Sequence, residues 1–382
     1  MAERIQVSHV MLMSERPGLY PISGLENHLF TLLPALARAG ADVELILLTY
    51  GLGPELDARL AALRAQGVTV TLVSLPYQRN WRWLGLRRLQ QAARLRPLLA
   101  ARRGRLIHLH VDLLLAGLVL ARASRPTVLF TVHNDDPWLL RPFWRLWLRW
   151  LGRHLAHTIA ITEQVRRHWL AASGARPERV TTIYYGLEPP PPQAAGASLR
   201  RQYQIPADRF VVGFVGRLAP QKNLPLLLDA LRRLPELHAV IVGAGEDQAA
   251  LQQQARDLGL RRLQFLGRVP AAAELMPAFD LLCLPSRHEG LGLVLVEAML
   301  RQVPVAGSRA GAIPEVLGQG QYGLLFDPAD AASLASTLDT AAHDAPALAA
   351  MAERALAYAR DTFSVDAMTR RTLAVYQSLL PA

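Results

Sequence analysis

Cysteine and lysine are nearly absent from this chain of 382 residues. Its single cysteine, Cys283, cannot form an intramolecular disulfide, so a disulfide-stabilised secreted fold is excluded and a reducing compartment such as the cytoplasm is expected. Only one of the 42 basic residues, Lys222, is a lysine. Because arginine fills every other basic position, Lys222 is a first candidate for a specific role.

Long apolar runs are also missing. Runs such as residues 113–121 fall well short of the roughly 20 apolar residues that a membrane-spanning helix needs. Residues 5–13 are too weakly apolar and too regular for a signal peptide, and they predict a first β-strand. With 51% hydrophobic and 19% charged residues the chain is expected to be globular, and its length allows two or three domains.

Strand and helix patterns alternate in both halves of the chain, which predicts two doubly wound parallel sheets with ligand crevices at the carboxyl ends of their strands. The predicted strands of the first half are 5–13, 43–49, 68–75, 106–111, 127–133, 158–162 and 180–185. Those of the second half are 210–216, 239–243, 263–266, 279–284, 303–306 and 323–326. The segment 188–197, with four prolines, predicts a semi-rigid linker, and helical patterns over 346–362 and 365–380 end the chain.

The stretch 285–297, Pro-Ser-Arg-His-Glu-Gly-Leu-Gly-Leu-Val-Leu-Val-Glu, follows a predicted buried strand and leads into a helix. Gly290, Leu291 and Gly292 present backbone N–H groups where that helix begins. Free N–H groups and the positive end of a helix dipole favour an anion, and a diphosphate is the obvious one. The corner therefore predicts a phosphate-binding site.

Two carboxylates frame this corner, Glu289 in the loop and Glu297 in the helix. Carboxylate oxygens accept hydroxyl hydrogens, so Glu297 is expected to hold a ribose and Glu289 the transferred sugar. The alternative is a plain strand–helix corner with a solvated glutamate. The spacing of the two glutamates, with glycines between them, resembles the signature of retaining GT-B glycosyltransferases, above all glycosyltransferase family 4.

That resemblance implies an α/β GT-B fold, with two doubly wound Rossmann-like domains facing a central cleft. Residues 1–190 would form the acceptor domain, with helix 364–382 crossing back to it, and residues 197–363 the nucleotide-sugar donor domain. Chemistry would take place in the cleft between the two domains.

The loop over residues 214–224 carries two cations, Arg217 and Lys222, just after a predicted strand. In the family this motif clamps the donor diphosphate and neutralises charge on the leaving group. The only lysine of an arginine-rich chain stands at the lysine position of the motif. An exposed loop with incidental charges is the alternative.

Weaker matches in the second half are Gly243, within a glycine-rich turn, and Arg268, within a segment that lies near the base in the family. A tight turn that requires positive φ explains Gly243 equally well. The turn over residues 311–316 resembles a family segment that lies close to the two glutamates, and Glu315 in it is expected to be structural.

In the first half, residues 22–28 resemble a family loop in which Gly24 approaches the diphosphate, although Ser23 replaces the usual first glycine. His133 ends a predicted strand, and the resemblance places it under the donor sugar; a structural histidine is the alternative. His108 and His110 share one strand face. No third ligand with recognisable spacing accompanies them, so they are interpreted as structural, with His110 a candidate near the acceptor, and no metal is predicted.

The net charge of +11 belongs entirely to the first half. On one predicted helix the arginines recur at intervals of four, and tryptophans and leucines occupy its other face. The arginines are Arg141, Arg145, Arg149 and Arg153, and the apolar residues are Trp144, Trp147, Leu148, Leu151 and Leu155. Such a helix suits an anionic membrane surface, or it packs its apolar face on a sheet. Nucleic acid is not expected as a partner, because no recognised binding module is present.

Together the motifs predict a retaining glycosyltransferase that moves a hexose from a nucleotide diphosphate sugar to an acceptor hydroxyl by a front-face, metal-independent mechanism. The predicted catalytic residues are Glu289, Arg217, Lys222 and His133. No cofactor is expected besides the donor substrate, and the acceptor is a glycan, a lipid-linked sugar or a small molecule. The alternatives are a nucleotide-sugar epimerase or sugar phosphorylase of the same fold, and a non-catalytic partner of another transferase.

Overall fold

A computed structural model describes residues 4–13, 24–75, 84–102, 104–120, 127–133, 142–191 and 196–380. Within them the chain divides into two compact units. The first unit is Met1–Gly186 with Val365–Ala382, and the second unit is Leu187–Ser364. All thirteen predicted strands are present.

The first unit is built on a seven-stranded parallel sheet of order β3-β2-β1-β4-β5-β6-β7. Its strands are β1 Gln6–Met13, β2 Asp42–Thr49, β3 Thr69–Ser74, β4 Leu106–His110, β5 Val128–Val132, β6 His157–Ala160 and β7 Val180–Thr182. Its helices are α1 Gly24–Arg38, α2 Pro54–Ala65, α3 Leu84–Ala100, α4 Leu113–Leu120, α5 Pro142–His154, α6 Glu163–Ser173 and α14 Val365–Leu379. Strands β4, β5 and β6 are buried throughout, as expected of a parallel sheet that helices cover on both faces.

The last helix, α14, belongs to the core of the first unit. Met368, Val375 and Tyr376 of α14 are buried in one cluster with Leu33 and Leu36 of α1. The chain therefore returns to its first unit after completing the second, and the same face of the first sheet is covered by its first and last helices.

The second unit has a six-stranded parallel sheet of order β10-β9-β8-β11-β12-β13. Its strands are β8 Val211–Val215, β9 His238–Val242, β10 Leu263–Gly267, β11 Leu281–Leu284, β12 Val305–Ser308 and β13 Leu324–Phe326. Its helices are α7 Gly196–Gln202, α8 Leu224–Leu231, α9 Gln248–Asp257, α10 Leu293–Met299, α11 Ile313–Val316, α12 Ala331–His343 and α13 Ala345–Thr362.

Each sheet reverses its order once, between β1 and β4 in the first unit and between β8 and β11 in the second. At such a switch point the loops leave the sheet toward opposite faces, and a crevice opens at the carboxyl ends of the strands. The crevice expected from the sequence thus has a defined place in each unit.

None of the helices in the described part of the chain is both long enough and apolar enough to cross a bilayer.

Candidate functional site

Lys222 and Glu289 meet at the switch point of the second unit. Lys222 ends a 3-10 turn that follows β8, and Glu289 lies in the loop that follows β11. Lys222 Nζ donates to Glu289 Oε1 at 2.6 Å, and Ser286 Oγ donates to the same oxygen at 2.6 Å. The two charged side chains are only 19% and 9% exposed. A carboxylate so far removed from water requires a partner, and Lys222 provides it.

The loops that carry this ion pair are joined by further hydrogen bonds. The backbone N–H of Arg287 donates to Gln221 O at 2.8 Å, and Gln221 Nε2 donates to His288 O at 2.7 Å. Arg287 Nε also donates to Asn223 Oδ1 at 3.1 Å. These contacts fix the distance between Lys222 and the glutamate loop.

Gly311 supports the glutamate loop from the side of β12. Its φ is +58°, and a Cβ atom at this position would lie 2.5 Å from Glu289 O and 2.6 Å from Glu289 N. The next residue, Ala312, donates its N–H to Glu289 O at 3.0 Å. Only glycine fits here, because both the positive φ and the close backbone approach exclude a side chain.

Gly243, expected in a turn near the nucleotide, lies directly against the loop that follows β8. Its φ is +137°, and a Cβ atom would lie 1.8 Å from Gly216 O. The glycine therefore allows the ends of β8 and β9 to approach each other. Arg217 follows Gly216 and Arg268 follows β10, and both arginine side chains are exposed at this edge of the sheet.

The corner before α10 has the predicted strand–loop–helix form. Gly292 precedes the helix with φ +76°, and Leu291 beside it is buried. Glu297 lies inside α10, where burial raises the pKa of its carboxyl group and the charge of Arg301 partly opposes that rise.

Only part of the predicted loop over residues 22–28 is described. Helix α1 begins at Gly24, and Ser23 lies outside the described residues. His28 in this helix is buried and stacks on Tyr185, with ring centroids 4.1 Å apart.

His133, just after β5, has a hydrogen-bond partner for each ring nitrogen. Nδ1 lies 2.5 Å from Tyr185 Oη, and Nε2 lies 3.0 Å from His110 Nδ1. His110 Nε2 in turn lies 3.0 Å from Nδ1 of His9, a residue that the sequence analysis did not single out. The sequence places His9 in a predicted strand. It does not show that this strand lies beside β4, and only that neighbour brings His9 opposite His108.

His9, His108 and His110 have potential ligand atoms within 4.8 Å of one another. Burial lowers the pKa of His9 to about 3 and holds the pKa values of His108 and His110 well below the usual range, so all three rings are uncharged. Each of their ring nitrogens already has a hydrogen-bond partner, as does each nitrogen of His133. A metal ion would have to break those bonds, so the arrangement does not present an open coordination site.

The basic helix predicted in the first half is α5, Pro142–His154. Its described arginines are exposed: Arg145, Arg149 and Arg153. Leu146 beside them is 78% exposed. Trp147 is partly buried, and its Nε1 donates to Leu113 O at 3.1 Å. Trp147 therefore belongs to the packing of α5 on α4, while Arg141 lies outside the described residues.

Comparison with known proteins gives two family matches that together span most of the chain. Residues 22–189 match the description "Glycosyltransferase Family 4", and residues 197–358 match "Glycosyl transferases group 1".

Two relatives are similar in sequence over most of their length. The 2-deoxystreptamine glucosyltransferase of Streptomyces kanamyceticus is 29% identical over 72% of this chain and 78% of its own. The GDP-mannose-dependent alpha-(1-6)-phosphatidylinositol monomannoside mannosyltransferase of Mycolicibacterium smegmatis is 30% identical over 67% of this chain and 74% of its own.

Among solved structures, Anabaena Alr3699/HepE in complex with UDP superimposes with a TM-score of 0.78 and 25% identity, over 98% of this chain and 100% of that one. The predicted GT-B fold is confirmed by this match and by the two parallel sheets.

Proposed function

Since this chain belongs to glycosyltransferase family 4, we propose that it transfers a hexose from a nucleotide diphosphate sugar to an acceptor hydroxyl with retention of anomeric configuration. The observation that carries this proposal is the ion pair between Lys222 and Glu289. The only lysine of the chain and one of the two predicted glutamates meet at a topological switch point, where ligands of doubly wound sheets bind.

In the proposed donor complex the two charges exchange partners. Lys222 turns from Glu289 to the diphosphate, and Glu289 accepts hydrogen bonds from hydroxyl groups of the transferred sugar. Arg217 adds a second cation, and the backbone N–H groups at Gly290 and Gly292 face the same anion.

The other proposed donor contacts are assigned from the places of these residues in the fold. Glu297 holds the ribose hydroxyls, while Gly243 and Arg268 lie beside the nucleotide. From the first unit, Gly24 approaches the diphosphate and His133 contacts the sugar. These assignments are extensions of the family resemblance to the residues of this chain.

The proposed chemistry takes place on one face of the sugar. The acceptor hydroxyl oxygen forms a bond to the anomeric carbon on the face from which the diphosphate leaves, and the bond from that carbon to the diphosphate oxygen breaks. The departing diphosphate oxygen takes the hydroxyl proton. Lys222 and Arg217 stabilise the negative charge that develops on the leaving group, so no metal ion is required for that task.

The relatives suggest which donors to test. The solved Anabaena protein binds UDP, and the mycobacterial relative depends on GDP-mannose. We therefore propose a UDP-hexose or GDP-hexose as donor. The inositol phospholipid named in the mycobacterial enzyme and the exposed arginines of α5 favour an acceptor at an anionic membrane surface.

The deciding experiment combines binding and turnover. Purified protein is heated with UDP, GDP, ADP and the matching sugar nucleotides, and the donor that raises Tm is then incubated with the protein. We expect slow release of nucleoside diphosphate and a free sugar whose first-formed anomer, read by NMR, is that of the donor. An inverted anomer would contradict retention, and no stabilisation by any nucleotide would contradict the proposal as a whole.

The same assay separates the alternatives. Conversion of the donor to an epimer without release of nucleoside diphosphate indicates an epimerase. Formation of a sugar 1-phosphate from a glycan and inorganic phosphate, without any nucleotide, indicates a phosphorylase. Nucleotide binding without any turnover, with or without acceptors, indicates a non-catalytic partner.

A further inference from the structure

Seven polar side chains form one continuous hydrogen-bonded chain along a face of the first sheet. In order, this histidine chain consists of Thr131, His108, Tyr376, His9, His110, His133 and Tyr185. The six successive donor–acceptor distances are 2.6, 2.7, 3.3, 3.0, 3.0 and 2.5 Å. The chain crosses the switch point, because His9 lies on β1 and His108 and His110 lie on β4.

The strand registers explain how the chain arises. His9 is paired with His108, and in a strand every second residue points to the same face. His110 therefore shares the face of His108, and so does the core residue Leu129 of β5, which is paired with His108. Helix α14 covers this face and contributes the phenol of Tyr376 between His9 and His108.

Burial imposes a strict condition on such a chain. Apart from Tyr185 and His133, its members are at most 2% exposed, so a ring nitrogen or hydroxyl without a partner would have no water to replace it. A hydrogen-bonded network in a protein core is favourable only when every member is satisfied. The protons of the chain must therefore be arranged without conflict.

An uncharged imidazole has one N–H donor and one nitrogen acceptor. The contact between His9 Nδ1 and His110 Nε2 needs one hydrogen, as does the contact between His110 Nδ1 and His133 Nε2. If His9 carries its hydrogen on Nε2, then His110 and His133 must do so too. If His9 carries it on Nδ1, both of the others must follow.

Tyr376 extends this rule to the fourth histidine. Its hydroxyl has a single hydrogen, which it donates either to His108 or to His9 while it accepts from the other. If His9 donates from Nε2, the hydroxyl hydrogen goes to His108 Nδ1, and His108 is then also protonated on Nε2. Two arrangements satisfy every contact, with all four rings protonated on Nε2 or all four on Nδ1.

We propose that the histidine chain is a positioning device that holds the orientation of His133 and ties its tautomer to those of the other three histidines, with Tyr376, His9, His108 and His110 as positioning residues. The proposal rests on the proposed function, in which His133 contacts the sugar. The tautomer of His133 is then tied to that of His108 through a phenol on the last helix of the chain. Burial also holds the pKa of His133 well below its usual range, so this ring presents no positive charge to an anomeric carbon on which positive charge develops during transfer.

The test is a spectroscopic one on the full-length protein. Long-range ¹H–¹⁵N correlation of ¹⁵N-histidine-labelled protein distinguishes the Nδ1–H and Nε2–H tautomers, and single replacements such as H133N assign the signals. In the wild type we expect all four chain histidines to show the same single tautomer. Different tautomers among the four would overturn the proposal, as would a stoichiometric transition metal in the purified protein.

Tyr376→Phe keeps the packed ring but removes the link between His9 and His108. We expect the tautomer of His108 to become independent of the tautomer that His9, His110 and His133 share, and transfer to fall roughly tenfold, as for other groups that orient a functional side chain. Nucleotide binding, measured by calorimetry, should be unchanged, because the second unit is not altered. Tyr358→Phe is the matched control, since Tyr358 belongs to the second unit, where it stacks on Tyr322.

If the spectra of all four chain histidines are unaffected by Tyr376→Phe, the positioning role is overturned. If the tyrosine variant does not fold, Thr131→Val interrupts the opposite end of the chain, and His108 is then the reporter. The two proposals fail separately. An ordered spectrum in a protein that transfers no sugar would contradict the proposed function, whereas disordered tautomers in an active transferase would contradict the histidine chain.

Discussion

The two units share one sheet order, but the polar groups at the point where that order reverses are uncharged in the first unit and charged in the second. In the first unit the polar groups stand on the strands themselves, so the covering helices bury them as uncharged rings. In the second unit Lys222 and Glu289 form an ion pair on loops beyond the strand ends. The same sheet order thus holds buried, uncharged polar groups at one switch point and a charged pair at the other.

Net charge is concentrated in the half of the chain that does not contain the ion pair. The first half carries the whole surplus of +11, yet its switch point is uncharged. The second half has balanced charges and holds the cation of the candidate site. The formal charge of a domain therefore describes its surface and does not locate its site.

The largest effect is expected from breaking the ion pair. Lys222→Ala removes the cation from the switch point and should lower turnover by roughly 100-fold or more, as expected for one preorganised transition-state contact. Arg217→Ala should cost a similar factor. Arg201→Ala, at an exposed position of α7, is the control and should keep the wild-type rate. Wild-type turnover in either of the first two variants would refute their assignment, provided that Tm shows a folded protein.

The two glutamates should separate by role. Glu297→Ala should weaken binding of the bare nucleoside diphosphate, because the proposed ribose contact does not involve the sugar. Glu289→Ala should leave that affinity nearly intact while turnover collapses. Calorimetry with the nucleoside diphosphate and initial rates measure the two effects, and an equal loss of affinity in both variants would contradict the roles.

The glycine that supports Glu289 offers a matched pair of substitutions. Gly311 and Gly259 have φ of +58° and +66°, but only at Gly311 would a Cβ atom meet another part of the chain, the backbone of Glu289. Gly259→Ala should lose about 1–2 kcal/mol of stability, since alanine is strained in the left-handed region. Gly311→Ala should lose more, because its Cβ would also meet the backbone of Glu289. Only Gly311→Ala should also lower turnover, by roughly tenfold, because it displaces the glutamate loop. Equal activity of the two variants would show that this support is dispensable.

Acid should destabilise the first unit before the second. Burial lowers the pKa of His9 and His28 to about 3, whereas a histidine in an unfolded chain titrates near 6.5. The unfolded chain therefore binds more protons between these values. The stability that these groups contribute is fully present above pH 6.5 and is lost as the pH falls toward 3.

All seven tryptophans lie within the first 169 residues, so tryptophan fluorescence reports the first unit alone, while circular dichroism reports both. In urea titrations we expect the fluorescence midpoint to fall more than the dichroism midpoint when the pH is lowered from 7 to 5. Identical shifts of the two midpoints would show that the buried histidines do not distinguish the units.

The smallest effect concerns the basic surface of the first unit. Each exposed arginine near an anionic bilayer contributes about 1 kcal/mol, and salt screens it within about 10 Å. We expect the protein to sediment with anionic vesicles, not with neutral ones, and to be released by salt. Replacing Arg145, Arg149 and Arg153 by Gln should weaken sedimentation without changing nucleotide binding.

The control for the membrane experiment is the same loss of charge on the second unit. Three exposed arginines of the second unit serve for this control: Arg201, Arg261 and Arg354. If the two triple variants sediment equally, the effect is one of net charge and α5 is an ordinary solvated helix.

The sequence by itself determined the strands and the loop motifs, because each depends on residues close together in the chain. It also determined the doubly wound class, because strand and helix patterns alternate through both halves. Alternating patterns identified every strand, and the only lysine marked its own loop. Residues that act through local backbone shape, such as Gly292 before α10, were recognised for the same reason.

Only the tertiary structure decided which of these residues meet. Lys222 and Glu289 are 67 positions apart, and His9 and Tyr376 are 367 apart. Such contacts depend on strand order, register and the return of α14 to the first unit, none of which is written in local spacing. His9 and Tyr376 each resemble ordinary members of a strand and a helix in the sequence. They meet because the sheet pairs β1 with β4 and because α14 covers these two strands.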